Sequence, residues 1–185
     1  MFFKEKWQIG DFIRQLIVAS FRGAFDISQV DPEGILSSTE RQWIDNNLRT
    51  FLLVVLHYLF LQKIMQGKLK VDAQKFGHQF GMASTFAFHD LGLSPDEASY
   101  RAESFLNELG EYGVALETRN DKELNEMGAF FYLCQHFASK FLPNFDANNE
   151  LQREKHFMVH DIAKQVYRNA EEGFKAAYKQ VKLVE

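Results

Sequence analysis

Cysteine, proline and clustered basic charge are all scarce in this chain of 185 residues. A lone cysteine, Cys134, excludes an intramolecular disulfide and a multi-cysteine zinc site, so a reducing compartment, the cytoplasm, is expected. The three prolines stand at segment boundaries, at Pro32, Pro95 and Pro143. The net charge is −4 with a pI near 5.9, and no basic cluster is present to neutralise a phosphate backbone. Nucleic acid is therefore not an expected partner. The N-terminal segment MFFKEKWQIGDF has no uninterrupted apolar core of the signal-peptide kind. The longest apolar run, Phe51 to Leu61, falls short of the roughly 20 residues that cross a bilayer and is bracketed by Arg49 and Lys63, so no transmembrane segment is expected.

Large apolar side chains, by contrast, are abundant. Apolar residues make up 46% of the chain and phenylalanine alone contributes 19, which predicts a folded domain with an aromatic interior. A chain of this length buries roughly 70% of the surface its unfolded form exposes, enough for a single domain over residues 1–185. The run Phe51 to Leu61, FLLVVLHYLFL, is apolar on every side of a helix except at His57. A helix without a polar face is buried all round, so this segment is expected at the centre of the fold or of a subunit interface.

Helical periodicity recurs along the whole chain, and no segment alternates for long enough to read as a half-buried strand. The expected architecture is an all-α bundle of about six helices, with the central apolar helix over about residues 39–66. The first helix spans about Trp7 to Phe25. The second is capped by Ser38 or Thr39 and stops near Gly67, and the third runs from about Val71 to Leu91. Ser94-Pro95-Asp96-Glu97 combines a serine cap, proline at the first helical position and an acid three residues after the cap, so a fourth helix starts at Pro95 and ends near Tyr112 and Gly113. Asn120 or Asp121 caps a fifth helix that aligns Met127, Phe130, Cys134, Phe137 and Phe141, where Cys134 reads as a buried structural thiol. The sixth helix covers about Asn149 to Lys182.

Two histidine constellations offer chemistry. His156 and His160 lie four apart, a spacing that lets two imidazoles reach one metal ion, with any completing ligand supplied by another helix. His57, then His89-Asp90 followed by Leu91-Gly92, then Asp161, occur in that order in a helical chain. That order resembles the HD-domain metal phosphohydrolases. The resemblance implies His57, His89, Asp90 and Asp161 as ligands, with Asp146 a substitute for the last, holding a divalent metal that activates water for attack on phosphorus. A third reading takes His89, beside Phe86 and Phe88, as a proximal haem ligand. No phosphate-binding glycine loop, nucleophile elbow, dinucleotide fingerprint or paired Glu-x-x-His motif is present.

The excess of large apolar side chains carries the reading ranked first. It is a soluble, non-catalytic helical module that forms a homodimer or binds an apolar small molecule or protein partner. The metal-dependent phosphohydrolase is the alternative, and a haem- or metal-binding helical protein the lesser one.

Overall fold

The computed structural model describes residues 5–23, 31, 34–117 and 128–184. Among them the chain forms six helices and one two-stranded sheet. The helices are α1 (Ile9–Arg22), α2 (Ser38–Met65), α3 (Ala73–Asp90), α4 (Pro95–Glu117), α5 (Ala129–Phe141) and α6 (Glu150–Gln180). The fold is an all-α bundle, as the periodicity indicates. The strands β1 (Glu5–Gln8) and β2 (Val181–Val184) pair in parallel, with Glu5 opposite Val181 and Gln8 opposite Val184.

The strands correct both expected chain-end helices. Trp7 lies in β1, so α1 starts two residues later, and the last helix stops at Gln180 instead of Lys182. Four residues are too few to display a period of two, and the pairing partner lies at the far end of the sequence, so neither strand has a local signature. The expected end of the first helix, Phe25, lies outside the described residues, as do Asn120, Asp121 and Met127.

Helix ends follow local chemistry. The Glu40 N–H donates to Ser37 Oγ at 3.3 Å and the Ser37 N–H donates to Glu40 Oε2 at 2.7 Å, a reciprocal capping box. The cap of α2 is thus Ser37 rather than Ser38 or Thr39, because only Ser37 stands three residues before Glu40. Ser94 caps α4 by accepting from the Glu97 N–H at 3.3 Å, and Asn149 caps α6 by accepting from Gln152 at 3.1 Å. At the end of α2, Gly67 takes a φ of 65° and donates to Ile64 O while Lys68 donates to Lys63 O. At the end of α3, Gly92 at φ 90° donates to His89 O while Leu93 donates to Phe88 O. Both are Schellman stops, which need a left-handed residue and so favour glycine. α4 continues past its expected end at Tyr112 and Gly113 to Glu117, through both Gly110 and Gly113, since each helical glycine costs only about 1 kcal/mol.

The contacts gather the chain into two compact units. One unit contains β1, α1, α2 from Leu53, α3, α4 as far as Asn107, and the end of α6 from Ala170 with β2. Its core is a phenylalanine cluster around Phe60, whose ring meets Phe12 at 6.0 Å, Phe76 at 5.6 Å, Phe80 at 6.2 Å and Phe174 at 4.9 Å. In the same unit α1 also buries Ile9, Ile13 and Ile17, all 1% exposed or less.

The other unit contains α2 as far as Leu52, α4 from Glu108, α5 and α6 as far as Asn169, with the approach to α2. Phe51 packs on Phe137 at 4.9 Å and Tyr112 at 5.8 Å, and Trp43 packs on Phe137 and Phe141. Asp31, with a fully buried carboxylate, accepts from the Ile35 and Leu36 N–H groups and from Arg41, and so fixes the turn into α2. No residue of the run Phe51 to Leu61 is exposed. α2 is long and apolar enough to cross a membrane by length and composition, and half of its most apolar window is buried inside the protein.

Truncating Phe60→Ala removes the hub of the first cluster and is expected to cost about 3–5 kcal/mol in urea unfolding. The exposed Phe157→Ala should stay within about 0.5 kcal/mol of the parent. Equal effects of the two substitutions would rule out the cluster as the source of stability.

Candidate functional site

His57 is the sole histidine drawn into the core among the described residues, at 7% exposure. α3 places Phe76 at 5.2 Å and Phe80 at 5.0 Å from its ring, and α4 places Phe105 at 6.2 Å. Its Nδ1 is buried and has no hydrogen-bond partner among the described residues, unlike the carbonyl-bonded arrangement usual for a core imidazole. Removal from water pushes its pKa down to about 4, so the ring is neutral at physiological pH.

The other residues suggested by the phosphohydrolase order lie in different surroundings. His89 is nine residues beyond Phe80 on α3, roughly 13 Å further along the helix axis than the ring that touches His57. Asp90 is engaged by both Arg14 Nε and Arg14 Nη2 of α1. Those bonds hold its carboxyl below the usual range, and the same guanidinium lies 5.8 Å from the Phe86 ring. The glycine of the His-Asp-Leu-Gly stretch has the structural task of ending α3. Asp161 belongs to α6 in the second unit, where it accepts from Lys164 at 2.8 Å. Asp146, in that unit too, accepts from the Asn148 N–H at 2.9 Å.

For the haem reading, the structure leaves His89 exposed. Its neighbours diverge: Phe86 is 52% exposed, while Phe88 is buried against Phe21 at 5.6 Å.

His156 and His160 share one side of α6, each with its own aromatic neighbours. His156 lies tilted against Phe145 at 4.7 Å and meets Phe157 at 6.2 Å, and His160 meets Phe131 at 5.4 Å. His160 Nε2 is buried with no hydrogen-bond partner among the described residues, and its Nδ1 stands 4.0 Å from Asp161. Burial lowers the pKa of both, so both favour the neutral form that a metal needs. Among the described residues, however, no three His, Cys, Asp or Glu side chains converge where one ion could be held. Cys134 is fully buried and its thiol is pushed up to about 12, which removes the thiolate a nucleophile requires.

Sequence reasoning missed a denser ionisable cluster between α4 and α5. Lys140 Nζ donates to Glu108 Oε1 and, at 2.7 Å, to Glu111 Oε2. One turn before it on α5, His136 lies edge-on to Tyr112 at 4.6 Å, its Nε2 buried and without a partner among the described residues. Burial, aided by Lys140, lowers the pKa of His136. The spacings Glu108/Glu111 and His136/Lys140 are each visible in sequence, but nothing local says that the two faces meet.

The first unit also has a surface depression of about 380 Å³, lined by Glu5, Lys6 and Trp7 of β1 and by Asp11, Arg14 and Gln15 of α1. No protein-family model, curated protein or solved structure matches the chain.

The His57 environment fixes an acid response. The unfolded chain protonates this ring below about pH 6.5, whereas the folded protein resists until about pH 4. Stability is therefore full above pH 6.5 and is withdrawn as the pH falls towards 4. His57→Leu should be favoured over the parent by about 2–3 kcal/mol more at pH 4.5 than at pH 7.5 in paired urea titrations. A difference independent of pH would show that the imidazole is not held neutral.

Proposed function

We propose that the protein is a non-catalytic helical module that works by association, in the first place with a second copy of itself. The observation that carries this reading is apolar surface left in solvent on helices whose opposite faces are fully packed. On the outer face of α3, Met82 is 49% and Phe86 52% exposed, one turn apart, while Phe80, Ala83, Ala87 and Phe88 of the same helix are buried. Tyr100 of α4 is 69% exposed and Phe157 of α6 64%. Single exposed apolar residues are ordinary, but a pair one turn apart on a helix supplies the kind of anchor that interfaces bury.

The tag-free protein should sediment as a dimer that dissociates on dilution, and Phe86→Glu should shift that equilibrium towards monomer without reducing helicity. A monodisperse monomer at every concentration, with no apolar molecule co-purifying, overturns the reading. Stoichiometric bound metal, lost in both His89→Ala and Asp90→Ala, would replace it with a metal-dependent hydrolase.

A further inference from the structure

The negative charge of this chain is concentrated on one helix. The 23 residues of α4 hold six acids and one base, Arg101, a net charge of −5 where the whole chain has −4. Part of it is matched internally: Arg101 pairs with Glu97 at 3.2 Å, and Lys140 of α5 engages Glu108 and Glu111. Asp96 and Glu103 are exposed and form no ion pair among the described residues.

Those two acids share the outer face of α4 with apolar side chains. At about 100° per residue, Asp96, Tyr100, Glu103, Leu106, Gly110 and Val114 fall within an arc of roughly 120°. The buried Ala98, Ala102, Phe105 and Tyr112 lie on the other side of the helix. Tyr100 is 69%, Val114 58% and Leu106 48% exposed. Gly110 stands one turn from Leu106 and one turn from Val114, and a Cβ built on it would meet no neighbouring atom within 4 Å. Glycine inside a helix lowers stability relative to alanine, and no neighbour in the fold fills the space its missing side chain leaves. The result is an exposed apolar row with a notch at its centre.

Shape and charge together say what covers this face. Backbone groups inside a helix are bonded along it, so an added strand finds nothing to pair with and contact is made through side chains. The element that fits a row at i, i+4 and i+8 with a gap in its middle is a second helix laid alongside, ridge into groove. Opposite Asp96 and Glu103, the polar flank of that helix is basic. A second copy does not supply it: none of the other five helices exceeds a net charge of +1, and α4 against α4 opposes five negative charges with five.

We infer that the outer face of α4 is a docking surface for a basic amphipathic helix of a partner protein, with apolar side chains seated on Leu106 and Val114 and lysine or arginine opposite Asp96 and Glu103. This is a second kind of association, on a different helix from the α3 stripe, and it does not require the protein to dimerise.

The test is fluorescence polarisation with the full chain and a labelled peptide of leucine and lysine, its leucines spaced three and four apart, beside a counterpart with glutamate for lysine. A length of about 18 residues, roughly 27 Å of helix, matches the span from Asp96 to Val114. The lysine peptide should bind, about tenfold more weakly at 0.5 M than at 0.05 M salt, and the glutamate peptide should not. Leu106→Lys combined with Val114→Lys should weaken binding about tenfold with helicity unchanged. Glu172→Lys, an equal change of charge at an exposed position of α6, should bind as the parent does. Gly110→Gln, which fills the notch with a good helix former, should raise the melting temperature and still weaken binding, so the test does not hang on the folding of the double variant. No binding of the lysine peptide, equal binding of the glutamate peptide, or parental affinity in both the double variant and Gly110→Gln overturns the inference.

Discussion

A helical stretch that has no side to offer to water must be enclosed by something on each side, and Phe51 to Leu61 imposes that demand on the surrounding chain. From Leu53 onwards the enclosure is aromatic: α1, α3 and the end of α6 each send a phenylalanine to the ring of Phe60. At Phe51 it is met by Phe137 and Tyr112. Edge-on and tilted rings contribute about 0.5–1.5 kcal/mol each beyond the area they bury, so these contacts also fix the orientation of the helices that supply them. Enclosure also requires the chain to reverse repeatedly. The capping box at Ser37, the serine cap at Ser94 and the left-handed glycines at Gly67 and Gly92 provide starts and stops at those reversals.

Because the apolar interior has no polar partner to spare, the charged groups near it are matched in pairs across elements. Asp31 with Arg41, Glu40 with Lys155, Asp90 with Arg14, and Glu108 and Glu111 with Lys140 each tie two segments of one unit together. Partly exposed pairs of this kind contribute about 0–1 kcal/mol, so they select geometry more than they hold the fold. Asp31 differs: its carboxylate has no exposure, and loss of Arg41 would leave a buried charge resting on two backbone donors. His57 is the reverse case. With no carboxylate against it, it is tolerated only as an uncharged ring.

The helices were legible because their signals are local. Periodicity marks α3 to within two residues at either end, and the serine, proline and acid at Ser94 to Glu97 specify the start of α4 outright. The strands were not legible, since β1 and β2 acquire their conformation from each other across the whole chain. The same distinction governs the sites. The order His57, His89, Asp90, Asp161 carries no information on direction, and the packing that brings Phe76 and Phe80 to His57 sends His89 to the exposed end of the same helix. The cluster around Lys140 is the converse, two unremarkable spacings on α4 and α5 that acquire meaning only when their faces meet.

The parallel pairing of β1 with β2 bears on how the chain comes to be folded. Glu5 meets Val181, so the pairing closes a loop containing almost all of the sequence. Such a closure costs entropy that local helical contacts do not, and it follows them in time. During synthesis β1 is made well before β2, so it is without its strand partner until the end of α6 has been made.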